Sequence, residues 1–257
     1  MRWFDTHCHL DRLPAGSDLA ATLLRSRKAG VEKIVVPGVA GSPQSVAELS
    51  TFPGVSLAWG VHPDFINYLN AEEPTGKPWQ AAGFEPVAIG ECGLDRRSMF
   101  SIEEQEKVFI WQLELAAEYD LPAIIHLVGH YQRAFDLLAA MAKRPRCVMH
   151  SWSGSAEMAK RFAGLGAYIS VSGGHLWRPE KLARLLAALP ISSLLLETDA
   201  PDMIPPFWSG EFNEPSALPL IGSAIAEVTG MPVEKLAEIL YNNSIRLFGE
   251  SRQNQHG

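Results

Sequence analysis

Short apolar runs recur along the chain, each followed by a longer stretch in which apolar positions return every three or four residues. The runs are Trp3–Thr6, Lys33–Val36, Val55–Val61, Val87–Gly90, Ala123–His126, Cys147–His150, Ala167–Val171 and Leu194–Thr198. Most are rich in Val, Ile and Leu and do not alternate with polar residues, as expected of parallel strands covered on both faces. Helical periodicity fills Asp18–Ala29, Glu103–Tyr119, Ala134–Lys143, Ala156–Leu165 and Pro179–Leu189, and two further helices follow at Ser216–Val228 and Val233–Phe248. Ser101-Ile-Glu-Glu has the pattern of a capping box, and Gly30, Gly164 and Gly166 stand where helices should end. Strand and helix alternate along the whole chain, and this predicts an α/β protein, a closed (β/α)8 TIM barrel in preference to an open doubly wound sheet.

Size agrees with that expectation. The chain has 257 residues, and one such barrel takes about 250. Nothing resembles an interdomain linker, so residues 1–257 are expected to form a single domain. The three cysteines, Cys8, Cys92 and Cys147, form no CxxC pair, and the opening Met1–Leu10 has no apolar core of a signal peptide. No run reaches the about 18 apolar residues of a membrane span. A cytoplasmic, reduced protein with no membrane partner is expected, and a monomer. The formal net charge of −7 gives no broad basic surface for duplex nucleic acid. It does not exclude a nuclease, because bound divalent cations reverse the potential locally.

The chemistry gathers at the C-terminal ends of the runs. Asp5-Thr6-His7-Cys8-His9 closes the first, Gly60-Val61-His62-Pro63 the third and Gly90-Glu91 the fourth; His126, His150 and Glu197-Thr198-Asp199 close the fifth, sixth and eighth. In a parallel barrel all these ends open on one face, where such enzymes place their sites. Five of the eight histidines occupy such positions. His7 and His9, two apart on an extended segment, project to the same side and can reach one ion. Glu91 can bridge two ions, and His126 and His150 can complete the second. Two divalent ions about 3.5–4 Å apart would hold a hydroxide for displacement at phosphorus or at a carbonyl carbon. Each residue has a plainer reading as well: Glu91 as an ion-pair partner of Arg96 or Arg97, Asp199 as the start of an Asp-Ala-Pro turn, and any one histidine as a structural residue. A buried ring of unpaired imidazoles and carboxylates would be costly without a metal, which favours the joint reading.

The stretches Phe4–Asp11, Gly60–Pro63, Gly90–Asp95, Leu121–His126, His150–Ser155, Leu196–Pro201 and Asn242–Phe248 carry a resemblance that runs nearly the whole chain in order. So do Gln105 and Gln112–Ala116, placed in the helix after the fourth strand. The chain resembles the TatD family of metal-dependent deoxyribonucleases. The resemblance implies that His7, His9, Glu91 and Asp199 hold one ion, and Glu91, His126 and His150 the other. It implies that Asp199 also takes a proton from the metal-bound water and that His62 either faces the substrate or supports a metal-bound group. The expected activity is phosphodiester hydrolysis on DNA ends or single strands. Four histidines with two carboxylates suit Zn²⁺ or Mn²⁺ better than Mg²⁺, although Mg²⁺ can support turnover.

Two departures bear on the substrate. The family pattern puts Ser or Thr and then Arg after the strand-five histidine, whereas His126-Leu-Val-Gly-His130 has no such phosphate clamp. The loop before Asn213, Trp208-Ser-Gly-Glu-Phe212, is acidic and aromatic where basic residues are usual. Arg96, Arg97, Arg133 and Arg178 are candidate replacements. Phe207, Trp208, Phe212, Trp152 and Trp177 either stack bases at the mouth or pack the C-terminal helices. His130 and His175 are either mouth residues or solvated, and Cys8 should point away from its neighbours and be packed. The alternatives in activity are metal-dependent hydrolysis of a non-nucleotide ester or amide, and a partner-dependent assembly subunit. Glu91 in place of a carboxylated Lys bridge favours the nuclease over the amidohydrolase.

Overall fold

A computed structural model describes residues 1–40, 44–69 and 76–249. Eight parallel strands form the barrel: β1 (Trp3–Asp5), β2 (Val31–Val36), β3 (Val55–Leu57), β4 (Ile89–Asp95), β5 (Ala123–Val128), β6 (Cys147–Met149), β7 (Tyr168–Val171) and β8 (Leu194–Leu196). The ladders run β1-β2-β3 and β4-β5-β6-β7-β8. A parallel bridge between Trp59 and Ile89 joins the two sets. The remaining seam, β8 to β1, is sealed by Thr6 N donating to Leu196 O at 3.2 Å and Asp199 N donating to His7 O at 2.9 Å. The (β/α)8 expectation holds.

The helices are α1 (Leu19–Lys28), α2 (Gln44–Ala47), α3 (Ile102–Glu118), α4 (Tyr131–Ala140), α5 (Ala156–Gly164), α6 (Pro179–Ala188), α7 (Leu218–Thr229) and α8 (Val233–Phe248). Asp18 caps α1 by accepting from Ala21 N, and the Ser101–Glu104 capping box opens α3. Helix α4 starts three residues before the periodic stretch, because His130 in the left-handed region turns the chain directly into it. Between β3 and β4 the described residues form 3-10 turns at Pro63–Tyr68 and Pro78–Ala82, each with proline in its first turn. Strand β4 also runs past the apolar stretch to Asp95, so Glu91 lies inside it and not at its end. No single helix among the described residues is long and apolar enough to cross a membrane.

The two ends of the barrel are fastened by Asp5. Its carboxylate accepts from Thr198 N at 2.9 Å and from Thr198 Oγ1 at 2.5 Å, and both residues are fully buried. Burial pushes the Asp5 pKa up to about 8 against those hydrogen bonds. Asp5→Ala strands these two buried donors, each costing about 1–3 kcal/mol, and frees His7 N, which donates to Asp5 Oδ1 at 3.3 Å. Urea unfolding should therefore report a loss of at least about 2 kcal/mol, and a loss under about 0.5 kcal/mol, the scale of an ordinary surface change, would refute the clasp.

Candidate metal centre

Glycine lets the strands bring the site together. A Cβ on Gly93, whose φ is +148°, would stand 1.9 Å from His126 O, and one on Gly60 would stand 2.4 Å from the Gly90 carbonyl carbon. Only residues without a Cβ allow β3, β4 and β5 to approach this closely around Glu91. Glu91 is buried, and its two oxygens face different histidines. Its Oε1 is 2.9 Å from His150 Nε2 and 3.6 Å from His126 Nδ1. Its Oε2 is 3.5 Å from His9 Nε2.

Around it the other candidates converge. His7 Nε2 lies 3.2 Å from His9 Nε2, 3.7 Å from Glu91 Oε1 and 3.6 Å from Asp199 Oδ1. His126 Nδ1 lies 3.0 Å from His150 Nε2. The His7 and His150 rings stack at 4.1 Å, so His150 stands between the two halves of the cluster. Three sets of donor atoms each fall within 4.8 Å: His7, His150 and Asp199; His7, His9 and Glu91; and His62, Glu91 and His126. All seven candidate residues named from the sequence are thus brought into one cluster. Glu91 pairs with imidazoles here; Arg97 is taken up by Asp95, donating to it from Nη2 at 2.7 Å, so the reading of Glu91 as an arginine partner fails.

The electrostatics follow from burial. Burial, and then the neighbouring His150, hold the His7 pKa well below the ordinary histidine value. Burial works against the charge of Glu91, but His150 and His7 outweigh it and keep its pKa well below the usual range. Burial raises that of Asp199 to about 6. Burial lowers that of His62 to about 4, and His62 Nδ1 accepts from Asp64 N at 3.1 Å, which leaves the ring proton on Nε2. The donor set fits divalent ions. Nε2 of His7 and Nε2 of His9 converge to 3.2 Å, and His126 Nδ1 and His150 Nε2 to 3.0 Å, all beside the buried Glu91 carboxylate. Mixed imidazole and carboxylate donors are the ligands of Zn²⁺, Mn²⁺ and related ions.

A second layer was not assigned from the sequence. His126 Nε2 donates to Asp95 Oδ2 at 2.9 Å, which turns Nδ1 toward Glu91. Burial opposes the Asp95 charge, but His126 and Arg97 hold its pKa below the usual carboxylate range. Glu197 Oε1 accepts from Ser151 N at 2.6 Å and lies 3.7 Å from His150 Nδ1. The available signal is parity: Asp5 precedes His7 by two and Glu197 precedes Asp199 by two, so each shares a strand face with a site residue. Other candidates fall outside the cluster. Cys8 is buried in the core, as expected. His175 is tied to the backbone, with Nε2 2.8 Å from Trp152 O, while His130 is exposed at the start of α4. Trp152 packs on Phe162 and Tyr131, and Trp208 bonds to Phe212 O, so both serve packing. Arg133 is paired with Glu106. Among the described residues the Arg96 and Arg178 side chains have no hydrogen-bonded partner.

Comparison with known proteins places this geometry. The family model described as TatD related DNase matches residues 4–249. The chain belongs to that family. It is 36% identical to an uncharacterized metal-dependent hydrolase, YjjV, of Escherichia coli K12, over 96% of this chain and 98% of that one. It is 33% identical to a 3'-5' ssDNA/RNA exonuclease, TatD, of Escherichia fergusonii, over 96% and 99% of the two chains. The crystal structure of the E. coli YjjV protein superposes with a TM-score of 0.82 at 34% identity, covering 97% of this chain and 98% of that one. This member of the TatD-related family is therefore a metal-dependent hydrolase of ester bonds on a TIM barrel.

Proposed function

We propose that the chain is a divalent-metal-dependent phosphodiesterase that acts as an exonuclease on DNA ends or single strands. The observation that carries the reading is buried Glu91, whose Oε1 lies within 3.7 Å of His7, His126 and His150 and whose Oε2 lies 3.5 Å from His9. Relatives named as single-strand exonucleases share about a third of its residues over nearly its full length. In this reading His7, His9, Glu91 and Asp199 hold one ion, and Glu91, His126 and His150 hold a second. Zn²⁺ and Mn²⁺ suit so many imidazoles; Mg²⁺ is the oxygen-preferring alternative. Such ions supply Lewis acidity, which acidifies water and offsets charge on the phosphate oxygens.

The side chains do the rest. Asp199, whose Oδ1 lies beside His7 and His9, accepts the proton of the water that attacks phosphorus, the part of a positioned general base. His62 keeps its proton on Nε2 and donates a hydrogen bond toward the phosphoryl oxygen. Asp95 and Glu197 fix the ring planes of His126 and His150. Losing such an orienting partner typically costs 10–100-fold in metal affinity, so Asp95→Ala should weaken ion binding by roughly that factor in a calorimetric titration. Unchanged affinity would remove Asp95 from this role. The protein acts as one domain and as a monomer in the cytoplasm, a setting that suits its three buried, unpaired cysteines.

One structural feature favours a second reading. Strand β5 continues through Leu127 to Val128, so no cation follows His126, and a non-nucleotide ester or amide remains the alternative substrate. The deciding experiment is hydrolysis of a labelled single-stranded oligonucleotide by metal-stripped protein given Mn²⁺, Zn²⁺ or Mg²⁺ separately. Metal-restored cleavage supports the exonuclease. Silence with every ion, beside turnover of simple esters or amides, overturns it. A chain that turns over nothing by itself but gains activity with an added partner protein would point to the assembly subunit.

A further inference from the structure

Beside the histidine–carboxylate cluster the barrel mouth deepens into a cavity of about 350 Å³. Three consecutive strands supply it: Ser151 and Trp152 follow β6, Arg178 and Lys181 follow β7, and Met203 follows β8. It therefore opens on the same face as the centre and begins one residue after His150. Buried Trp152, Leu182 and Leu185 make its apolar side, and the exposed residues Met203, Arg178 and Lys181 stand at its edge. No carboxylate lines it, in a chain whose formal net charge is −7.

The parts are held in place. Buried Asn213 donates from Nδ2 to Thr198 O at 2.9 Å and to Asp202 O at 3.0 Å, which fastens the loop that presents Met203. A Cβ on Gly174 would come within 2.6 Å of Met203 Sδ, so this loop packs directly on the segment that follows β7. Lys181 Nζ donates to Ser153 O at 2.6 Å, while the Arg178 guanidinium has no hydrogen-bonded partner among the described residues. Next to Arg178, the exposed indole of Trp177 is fixed by its Nε1 donating to Ile204 O at 2.8 Å.

An apolar recess with a cationic lip has the chemistry of one nucleotide: a base inside, a phosphate outside. We propose that this cavity seats the nucleotide adjoining the scissile bond of a single strand. Arg178 and Lys181 take its outer phosphate, and Trp177 stacks the following base. A base inside a duplex cannot enter a walled recess without leaving its stack, so the cavity selects unpaired strands. It also restores, from the β7 side of the mouth, the cations that the loop after His126 lacks. This inference rests on the nuclease reading.

The test compares two substrates of the Mn²⁺-loaded enzyme: a fluorescently labelled single-stranded oligonucleotide and bis(p-nitrophenyl) phosphate, a diester without bases or flanking phosphates. For an Arg178→Gln/Lys181→Gln variant, the oligonucleotide-to-diester ratio of kcat/KM should fall at least about 10-fold, chiefly through KM. Two lost phosphate contacts should also flatten the dependence of log affinity on log salt by about 1.4, at roughly 0.7 per contact on a single strand. Arg27→Gln, on α1, serves as the charge control. An unchanged ratio and salt slope, in a variant that melts like the parent, would overturn the subsite while leaving the nuclease intact. If the parent hydrolyses the diester but no oligonucleotide, the nuclease reading falls. The cavity is then judged by strand binding alone: weaker anisotropy binding by the double variant supports it, and equal binding overturns it.

Discussion

Replacing Glu91 by Gln should lower kcat by about 10²–10⁴-fold, the range lost when a positioned acid–base or charge-stabilising group is removed. The substitution preserves shape and keeps one acceptor oxygen. It removes the charge, and it turns an amide N–H₂ either toward His9 or toward the His7, His126 and His150 nitrogens that the carboxylate oxygens now face. Asp199→Asn should cost a similar factor, because it removes the proton acceptor as well as a donor atom beside His7 and His9. Residues that act as a unit are strongly non-additive, so the double variant should be scarcely slower than the worse single one. The barrel should stay folded in all three, since both substitutions keep the side-chain shape and sit on the face of the barrel that serves chemistry more than stability. Steady-state kinetics with circular-dichroism melts decides it: turnover within a few-fold of the parent in both single variants would remove these residues from the centre.

Metal loading should raise the thermal midpoint by about 8–16 °C. Ions that bind only the folded chain stabilise it by RT ln(1 + [L]/Kd), about 4 kcal/mol when the free ion exceeds Kd 1,000-fold. Each kcal/mol shifts the midpoint of a protein this large by roughly 2–4 °C. The proposed ligands come from β4, β5 and the segments after β1, β6 and β8, so the unfolded chain offers no comparable site. Chelation should reverse the shift without unfolding the protein at room temperature. The core includes fully buried Trp3, Trp79, Trp152, Phe109 and Phe162, and it does not depend on an ion. Calorimetry of stripped protein with Mn²⁺, Zn²⁺ and Mg²⁺ in turn would rank them. No shift with any ion would contradict the centre.

The barrel and the identity of the cluster were legible in the sequence because parallel strands leave a plain record. Unalternating runs such as Ala123–His126 mark burial on both faces, and a polar residue closing an apolar run marks the mouth. What could not be read is where direction is set by contacts between distant strands. Nothing local says that Asp95 reaches His126 across the β4–β5 ladder, or that Glu197 supports the backbone at Ser151. The extension of β4 beyond Glu91 depends on Gly93 lying against His126 O, a tertiary contact. The 3-10 turns at Pro63–Tyr68 and Pro78–Ala82 begin with prolines that favour short tight turns. Among the aromatics, composition could not separate Trp152, buried under the mouth, from Trp177, exposed on its rim; only packing does so.

Asp5 fastens the first strand to the residue that follows the last one, and the proposed ligands run from His7 to Asp199. During synthesis the N-terminal strands can fold as they emerge, yet a chain that stops short of Thr198 lacks both Asp199 and the clasp that sets its place. Hydrolytic competence therefore arrives late in translation, after about three quarters of the chain has left the ribosome, and a polypeptide cut short before Asp199 would be harmless to the nucleic acid around it.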